Sequence, residues 1–258
     1  MIQAIKHFMA GEAVRIAAAQ ESATGRFGRF ECQLLVLSTL CLVLIQFGSG
    51  IHSFDFFWGR WIDDLNPHYE LFQLLHWVGF CILGYMIIPM IFLKVWNHKI
   101  LDYYLMPRGF FNHPWGYIAL MLPAFLIVYI VSYLPEFQRI YPFYTLASRS
   151  WLDFIVWEIA YGLQFLALEF FFRAFFIEGL SKSMGYQGIW IMIIPYCMIH
   201  FEKTAAESLG SIIAGLLLGW MAMRSRCIWG GVLLHWFVAV EMDVMSLIQS
   251  GRWPPSVP

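Results

Sequence analysis

Two oppositely charged residues lie one helical turn apart in one of the most apolar stretches of the chain. Glu169 and Arg173 are separated by three phenylalanines. A charge at the centre of a bilayer costs roughly 3 kcal/mol, so such a pair is expected to line an interior cavity. Two later apolar segments each contain one histidine, His200 and His235. A carboxylate, a guanidinium and two imidazoles on three helices are the groups that a buried acid/base site requires.

The amino-acid composition indicates what kind of secondary structure must position these residues. Of 258 residues, 60% are hydrophobic and only 13% are charged, whereas average chains have about 45–50% apolar and 25% charged residues. The net charge of −1 gives no support to nucleic-acid binding, which needs a basic face. We therefore predict an all-α, polytopic membrane helix bundle whose partner is the lipid bilayer, with no nucleic acid bound.

The bundle is predicted to contain about seven transmembrane helices, within a range of six to eight. A spanning helix needs about 20 mostly apolar residues. The predicted segments are 32–49, 71–95, 115–134, 151–182, 187–201, 205–223 and 228–249. The fourth segment is too long for an upright span, and the fifth is short and contains Pro195.

The segments divide the chain into four predicted parts. These are an interfacial or partly ordered leader (1–31), the N-terminal transmembrane helices (32–150), a catalytic core (151–250) and a C-terminal tail (251–258). With the N-terminus inside, the inner connections hold twice as many Lys and Arg residues as the outer ones. The positive-inside rule then predicts a cytoplasmic N-terminus.

The polar residues of the core fall on defined helix faces. Glu158, Glu169 and Arg173 share one face of the fourth segment, because steps of three or four residues return to the same side. Glu169 and Arg173 can pair directly at i, i+4, although such a pair can also serve packing alone. His200 closes the fifth segment, where a lone histidine is commonly interfacial. His235 lies about two turns inside the last span and needs a hydrogen-bond partner from another helix.

A stripe of small residues separates the two histidines in sequence. Ser211, Gly215 and Gly219 recur every four residues, a pattern that lets helices approach closely. We expect the stripe to hold the fifth, sixth and seventh segments together and to bring the histidines near each other. Glu207 extends the stripe by one turn and is expected to point inward.

Three motifs in this order carry a family resemblance. Glu169-x-x-x-Arg173, an aromatic residue four positions before His200, and His235 early in the last span resemble the CAAX-protease and bacteriocin-processing (Abi) family of glutamate-type intramembrane proteases over roughly residues 150–250. The resemblance implies that Glu169, His200, His235 and Arg173 form the catalytic site. It further implies that a glutamate and a histidine activate water, while a second histidine and a polar neighbour stabilise the oxyanion.

The chain departs from the family pattern at two positions. The first motif usually opens with two adjacent glutamates, and the first of these is Leu168 here. The family often has Asn four residues after the last histidine, and here that residue is Ala239. Either Glu169 takes the catalytic role, or the chain keeps the scaffold without standard peptidase activity. The predicted supporting acids are Glu158, Glu207 and Asp243.

The favoured prediction is an intramembrane endopeptidase of the bacterial inner membrane that needs no cofactor. Its partner would be a peptide or protein substrate that the membrane presents or that carries a lipid. One alternative is a zinc metalloprotease with Glu169, His200 and His235 as ligands, although the chain has no His-Glu-x-x-His motif. Another alternative is a non-catalytic immunity or maturation factor on the same scaffold. The sequence specifies neither the substrate nor the oligomeric state.

Overall fold

The computed structural model describes residues 2–256, and in that range the chain forms helices and turns without a strand. The helices are α1 (Ile2–Glu21), α2 (Arg29–Gly48), α3 (Ile51–Trp58), α4 (Tyr69–Ile82), α5 (Ile88–Val95), α6 (Arg108–Asn112), α7 (Pro114–Val131), α8 (Pro135–Ile140), α9 (Trp151–Glu169), α10 (Gly179–Met184), α11 (Gly188–Met198), α12 (Ala205–Ser225) and α13 (Trp229–Gln249). The all-α prediction is confirmed. Met1, Val257 and Pro258, which belong to the predicted leader and tail, lie outside the described residues.

Six helical segments are long and apolar enough to cross a membrane. They are Arg29–Gly48, Tyr69–Val95, Pro114–Val131, Trp151–Met198, Ala205–Ser225 and Trp229–Gln249. The number lies within the predicted range of six to eight. It is one below the predicted seven, because the fourth and fifth predicted segments form one run of 48 residues. With this many apolar helices the chain is a multi-pass integral membrane protein.

The 48-residue run does not form one straight helix. At 1.5 Å per residue it would be about 72 Å long, more than twice the bilayer core. The run turns at Gly185, whose φ of +53° is a conformation that glycine adopts without strain. Beyond the turn, α11 packs back against the preceding part of the run. With 11 residues, α11 is about 16 Å long and too short to span the bilayer.

The first part of the run, residues 151–184, is the central helix of the bundle. It consists of α9, a π-helical segment at Phe170–Glu178, and α10. Two-thirds of the most apolar window in this run is buried, against one-third or less for every other candidate span. On the central helix, α4 and α13 pack along α9, while α11 and α12 pack along the π-helical segment. All three motif-bearing elements therefore meet at this helix.

The small-residue stripe of α12 lies where helices approach closely. A Cβ atom added at Gly215 would lie 3.0 Å from the Tyr196 ring, and one added at Gly219 would lie 3.1 Å from Ile177. The stripe therefore joins α12 to α11 and to the central helix, as predicted for the fifth and sixth segments. The last span is held differently, because α13 packs mainly on α7 and α9.

The predicted leader contains a well-formed helix, α1. Its Glu12 is buried, forms an ion pair with Arg224 and accepts a hydrogen bond from Trp220 Nε1 at 3.2 Å. These contacts hold α1 against the end of α12. Ile5 and Met9 remain exposed on α1, so the predicted interfacial location of this helix stays a prediction.

Candidate active site

Glu169 contacts both the arginine of its own motif and the last of the motif histidines. Glu169 Oε1 lies 3.1 Å from His235 Nδ1 and 3.5 Å from Arg173 Nε. Glu169 and Arg173 are fully buried, whereas His235 exposes 16% of its side chain. Ionisable groups in apolar surroundings must be compensated by one another. These three side chains provide that compensation inside the bundle.

The local backbone makes this approach possible. Glu169 is the last residue of α9, and Arg173 lies in the following π-helical segment, an irregularity that occurs frequently at functional sites. Opposite Glu169, α13 presents Gly231, where an added Cβ would lie only 2.1 Å from Glu169 Oε2. A larger residue at position 231 would therefore displace the carboxylate from the place that it occupies here. His235 follows one turn later, on the same face of α13.

Tyr196 is a member of this group that the sequence analysis missed. Its hydroxyl lies 2.9 Å from His235 Nε2, and the Arg173 guanidinium lies over its ring, 4.3 Å from the centroid. The sequence feature that could have identified Tyr196 is its position in the second motif, four residues before His200. A buried tyrosine also needs a hydrogen-bond partner for its hydroxyl, and that requirement could have drawn attention to it.

His200 lies just beyond the end of α11 and is oriented by the backbone. Its Nδ1 atom lies 2.8 Å from the Tyr196 carbonyl oxygen. Because a carbonyl only accepts, Nδ1 must carry the hydrogen, which leaves the lone pair of the neutral ring on Nε2. Burial, followed by the nearby charge of Lys203, lowers the pKa of His200 to about 4. His200 is therefore neutral near pH 7, with Nε2 as a proton acceptor.

The two predicted catalytic histidines thus contact the same tyrosine. The Tyr196 ring centroid is 4.9 Å from that of His200 and 6.4 Å from that of His235. His235 is further fixed by Phe165, whose ring stacks on it at 5.5 Å with an interplanar angle of 5°. Glu169, Arg173, His235 and His200 are accordingly brought to one region, between the central helix, α11 and α13.

Glu207, a predicted supporting acid, lies in a different polar group. It occupies the first turn of α12, which Thr204 caps by accepting a hydrogen bond from the Glu207 backbone N–H. The Glu207 carboxylate accepts a hydrogen bond from the Tyr141 hydroxyl at 2.9 Å and lies 3.7 Å from Lys203 Nζ. Its contacts stabilise the helix start and the adjacent loop.

The other two supporting acids also lie away from Glu169. Asp243 accepts hydrogen bonds from the Phe143 backbone N–H and from Trp157 Nε1, both at 2.9 Å. Glu158 is buried next to Asp243. Asp243 and Glu158 join α13 to α9 but make no contact with the Glu169 carboxylate in the described part of the chain.

At the two positions where the chain departs from the family pattern, the side chains pack in the apolar core. Leu168 is 5% exposed and belongs to the main hydrophobic core. Ala239 is 2% exposed and lies in an aromatic cluster with Trp157, Tyr161 and Phe165. Both positions therefore contribute apolar contacts, and the polar functions that the family has there must come from other side chains or be absent.

The described residues contain no set of three or more His, Cys, Asp and Glu side chains arranged to hold a metal ion. Both ring nitrogens of His235 face protein atoms, Nδ1 towards Glu169 and Nε2 towards Tyr196. A surface cavity of about 350 Å³ opens beside the loop that follows His200. It is lined by Glu136, Arg139, Ile140, Lys203 and Thr204.

Comparison with known proteins agrees with the motifs. Residues 137–240 match the model of a family described as type II CAAX prenyl endopeptidase Rce1-like. This confirms the resemblance to CAAX proteases, and the match supports a membrane-bound protease. The matched range includes Glu169, Arg173, His200 and His235 but ends before Asp243. No curated protein and no solved structure matches the chain.

Proposed function

We propose that this chain is an intramembrane endopeptidase that hydrolyses a peptide bond in a membrane-presented or lipid-modified substrate. The observation that carries the proposal is the contact of Glu169 with His235 and Arg173, at 3.1 and 3.5 Å, inside the segment that matches the protease family. A buried acid that contacts an imidazole is a known means of controlling protonation at a reaction centre.

His200 is the proposed general base. Its Nε2 lone pair is free because Nδ1 donates to the Tyr196 carbonyl. A water molecule at Nε2 would lose a proton to His200 as it attacks the substrate carbonyl carbon. This role needs no glutamate at position 168, which agrees with the apolar packing of Leu168.

His235 is the proposed stabiliser of the oxyanion, through an Nε2 hydrogen that it would share between the substrate oxygen and the Tyr196 hydroxyl 2.9 Å away. Glu169 favours a positively polarised imidazole by contact with Nδ1, as an acid does for the histidine of a hydrolase triad. Arg173 holds the carboxylate in position through its Nε atom, 3.5 Å away. Hydrogen-bond donors directed at a developing oxyanion contribute about 3–4 kcal/mol each in hydrolases.

The proposed hydrolysis consumes one water molecule and requires no cofactor. The bond from the water oxygen to the carbonyl carbon forms first, and the proton moves to His200 Nε2. The tetrahedral intermediate then collapses, the C–N bond breaks, and His200 returns the proton to the leaving nitrogen. The products are a new carboxylate and a new amine.

We further propose a location and an orientation for the chain. The excess of Lys and Arg on the inner connections supports a cytoplasmic N-terminus, and the family resemblance supports the bacterial inner membrane. Residues 32–150 would then act as a transmembrane support for a catalytic core in residues 151–250. The surface cavity beside Lys203 is the proposed entrance for the peptide.

The decisive experiment uses the purified full chain in liposomes with two internally quenched peptides. One peptide carries a farnesyl-cysteine near its C-terminus, because the matched family is described as a CAAX prenyl endopeptidase. The other carries the same reporter on an apolar transmembrane segment. We expect cleavage of at least one probe and its loss in His200→Ala and His235→Ala. Mass spectrometry of the products would identify the bond that is cleaved.

The non-catalytic alternative makes the opposite prediction. It is favoured by the apolar residues at both departures from the family pattern, Leu168 and Ala239. If a correctly inserted, folded chain cleaves neither probe, the hydrolytic proposal is contradicted and the alternative gains support. Equal cleavage by the wild-type chain and both histidine variants would instead indicate a contaminating protease.

A further inference from the structure

Tyr196 contacts three of the four ionisable groups at the candidate site through three different parts of the residue. Its hydroxyl lies 2.9 Å from His235 Nε2. Its backbone carbonyl accepts the hydrogen bond of His200 Nδ1 at 2.8 Å. The face of its ring lies 4.3 Å from the Arg173 guanidinium carbon, which is the geometry of a cation–π contact.

The surroundings hold this tyrosine in one orientation. Tyr196 is 1% exposed, and the edge of its ring lies against Gly215, where an added Cβ would be 3.0 Å away. Phe172 packs edge-on at 5.2 Å between ring centroids. A ring confined by a neighbouring backbone, an aromatic edge and a guanidinium has little rotational freedom. Its hydroxyl is therefore fixed relative to His235.

We propose that Tyr196 is the residue that positions both histidines, and that its hydroxyl takes the place of the polar neighbour missing at Ala239. This inference rests on the proposed hydrolytic function. The side chain at position 239 carries no donor and is buried among aromatic rings. The Tyr196 hydroxyl supplies a polar partner to His235 from α11 instead of from α13.

The two histidines are held by chemically separable groups. The hydroxyl belongs to the side chain and hydrogen-bonds to His235, while the carbonyl belongs to the backbone and accepts from His200. The substitution Tyr196→Phe removes the first contact, keeps the ring that faces Arg173 and leaves the second contact intact. A positioning role therefore predicts an effect on one histidine and not on the other.

The test compares Tyr196→Phe with Tyr144→Phe, which also removes a buried hydroxyl, one that donates to Asp153 at 3.0 Å. For cleavage of the two quenched peptides we expect kcat of Tyr196→Phe to fall about 10- to 100-fold, with KM little changed. Tyr144→Phe should keep the wild-type kcat. In protein labelled with ¹⁵N-histidine, the ring resonances of His235 should shift in Tyr196→Phe and those of His200 should stay.

Each outcome decides for or against the proposal. An unchanged kcat in an active preparation overturns the role of Tyr196 and leaves the hydrolytic function standing. Equal shifts of both histidines indicate general disruption and also overturn it. If the wild type cleaves neither probe, the hydrolytic function fails, and unmoved His235 resonances would then reject the positioning contact independently. Should Tyr196→Phe not fold, 3,5-difluorotyrosine at position 196, whose hydroxyl is a stronger hydrogen-bond donor, must shift the His235 resonances and leave those of His200 in place; unmoved His235 resonances would overturn the contact.

Discussion

The two ends of α9 carry carboxylate–arginine ion pairs with very different surroundings. Arg149 and Asp153 pair across four residues at the start of the helix, and Glu169 and Arg173 do so at its end. Each acid also has a histidine within 4 Å. Both pairs join a carboxylate to an arginine four residues away, and they differ most in their surroundings.

The pair at the start of α9 is saturated with hydrogen bonds. The Asp153 carboxylate accepts from Arg149 through both Nε and Nη2, from the Tyr144 hydroxyl and from the Ser150 hydroxyl. Its histidine, His68, is half exposed and lies 3.6 Å away. A carboxylate with this many donors is stabilised in one state and one orientation. This pair fixes the helix start.

The pair at the end of α9 is only partly satisfied. Glu169 Oε1, Arg173 Nε and Nη2, and His235 Nδ1 are buried atoms without a well-aligned hydrogen bond to any described residue. The distances of 3.1 and 3.5 Å bring the charges together without the angles of full hydrogen bonds. Buried groups with unused hydrogen-bonding capacity are expensive and occur where function requires them.

The largest difference between the two pairs should be seen on substitution of the acids. Glu169→Gln removes the negative charge that orients and polarises the His235 ring, and we expect kcat/KM to fall about 1000-fold or more. Asp153→Asn should keep the activity per folded molecule and lower the midpoint of thermal unfolding by about 2–4 °C for each kcal/mol lost. Peptide cleavage and thermal unfolding in the same liposomes measure both quantities. Comparable loss of activity in both variants would remove the functional distinction between the pairs.

A smaller effect is expected from the glycine that faces Glu169. In Gly231→Ala the new Cβ would lie 2.1 Å from Glu169 Oε2, so the carboxylate must move away from His235. A misplacement of a catalytic group by about 1 Å can lower the rate about 100-fold. Gly210→Ala on α12, where no atom lies within 4 Å of the added Cβ, is the matched control. Wild-type activity in Gly231→Ala would show that the observed Glu169 position is not needed.

The pH dependence offers a more modest test, because it concerns one proton. His200 has its pKa lowered to about 4 from the usual 6.5, so it loses its acceptor lone pair only as the pH falls through about 4. We expect nearly constant kcat/KM between pH 7 and 5 and an approximately tenfold fall per unit below about pH 4. The same shift makes the folded state gain stability as the pH rises from 4 to 6.5. An acid limb near 6.5 would contradict His200 as the base.

The smallest expected effect is that of metal removal. Arg173 lies 3.5 Å from the Glu169 carboxylate, and a divalent cation on that carboxylate would face the guanidinium at close range. Such repulsion amounts to several kcal/mol even at an effective dielectric constant of 20. We therefore expect no stoichiometric zinc by elemental analysis and unchanged cleavage after chelation. About one zinc per chain, lost together with activity, would instead establish the metalloprotease alternative.

Several features of the protein were determined by the sequence alone. The apolar composition excludes a soluble domain, and the segment lengths predict the spans to within one, because hydrophobicity is a local property of the chain. The i, i+4 spacing of Glu169 and Arg173 predicts their contact, since both belong to one helix. The motif order also indicates the protease family that residues 137–240 match.

Other features depend on how the helices pack, which local patterns do not encode. The sequence assigns His200 and His235 to one site without showing which of them contacts Glu169, and it nominates Glu207 as a supporting acid. In the structure Glu169 meets His235, because Gly231 allows α13 to touch the end of α9, while Glu207 binds Tyr141 at the start of α12. Contacts between residues distant in sequence are set by backbone approach and side-chain volume over the whole bundle, so only the tertiary structure decides them.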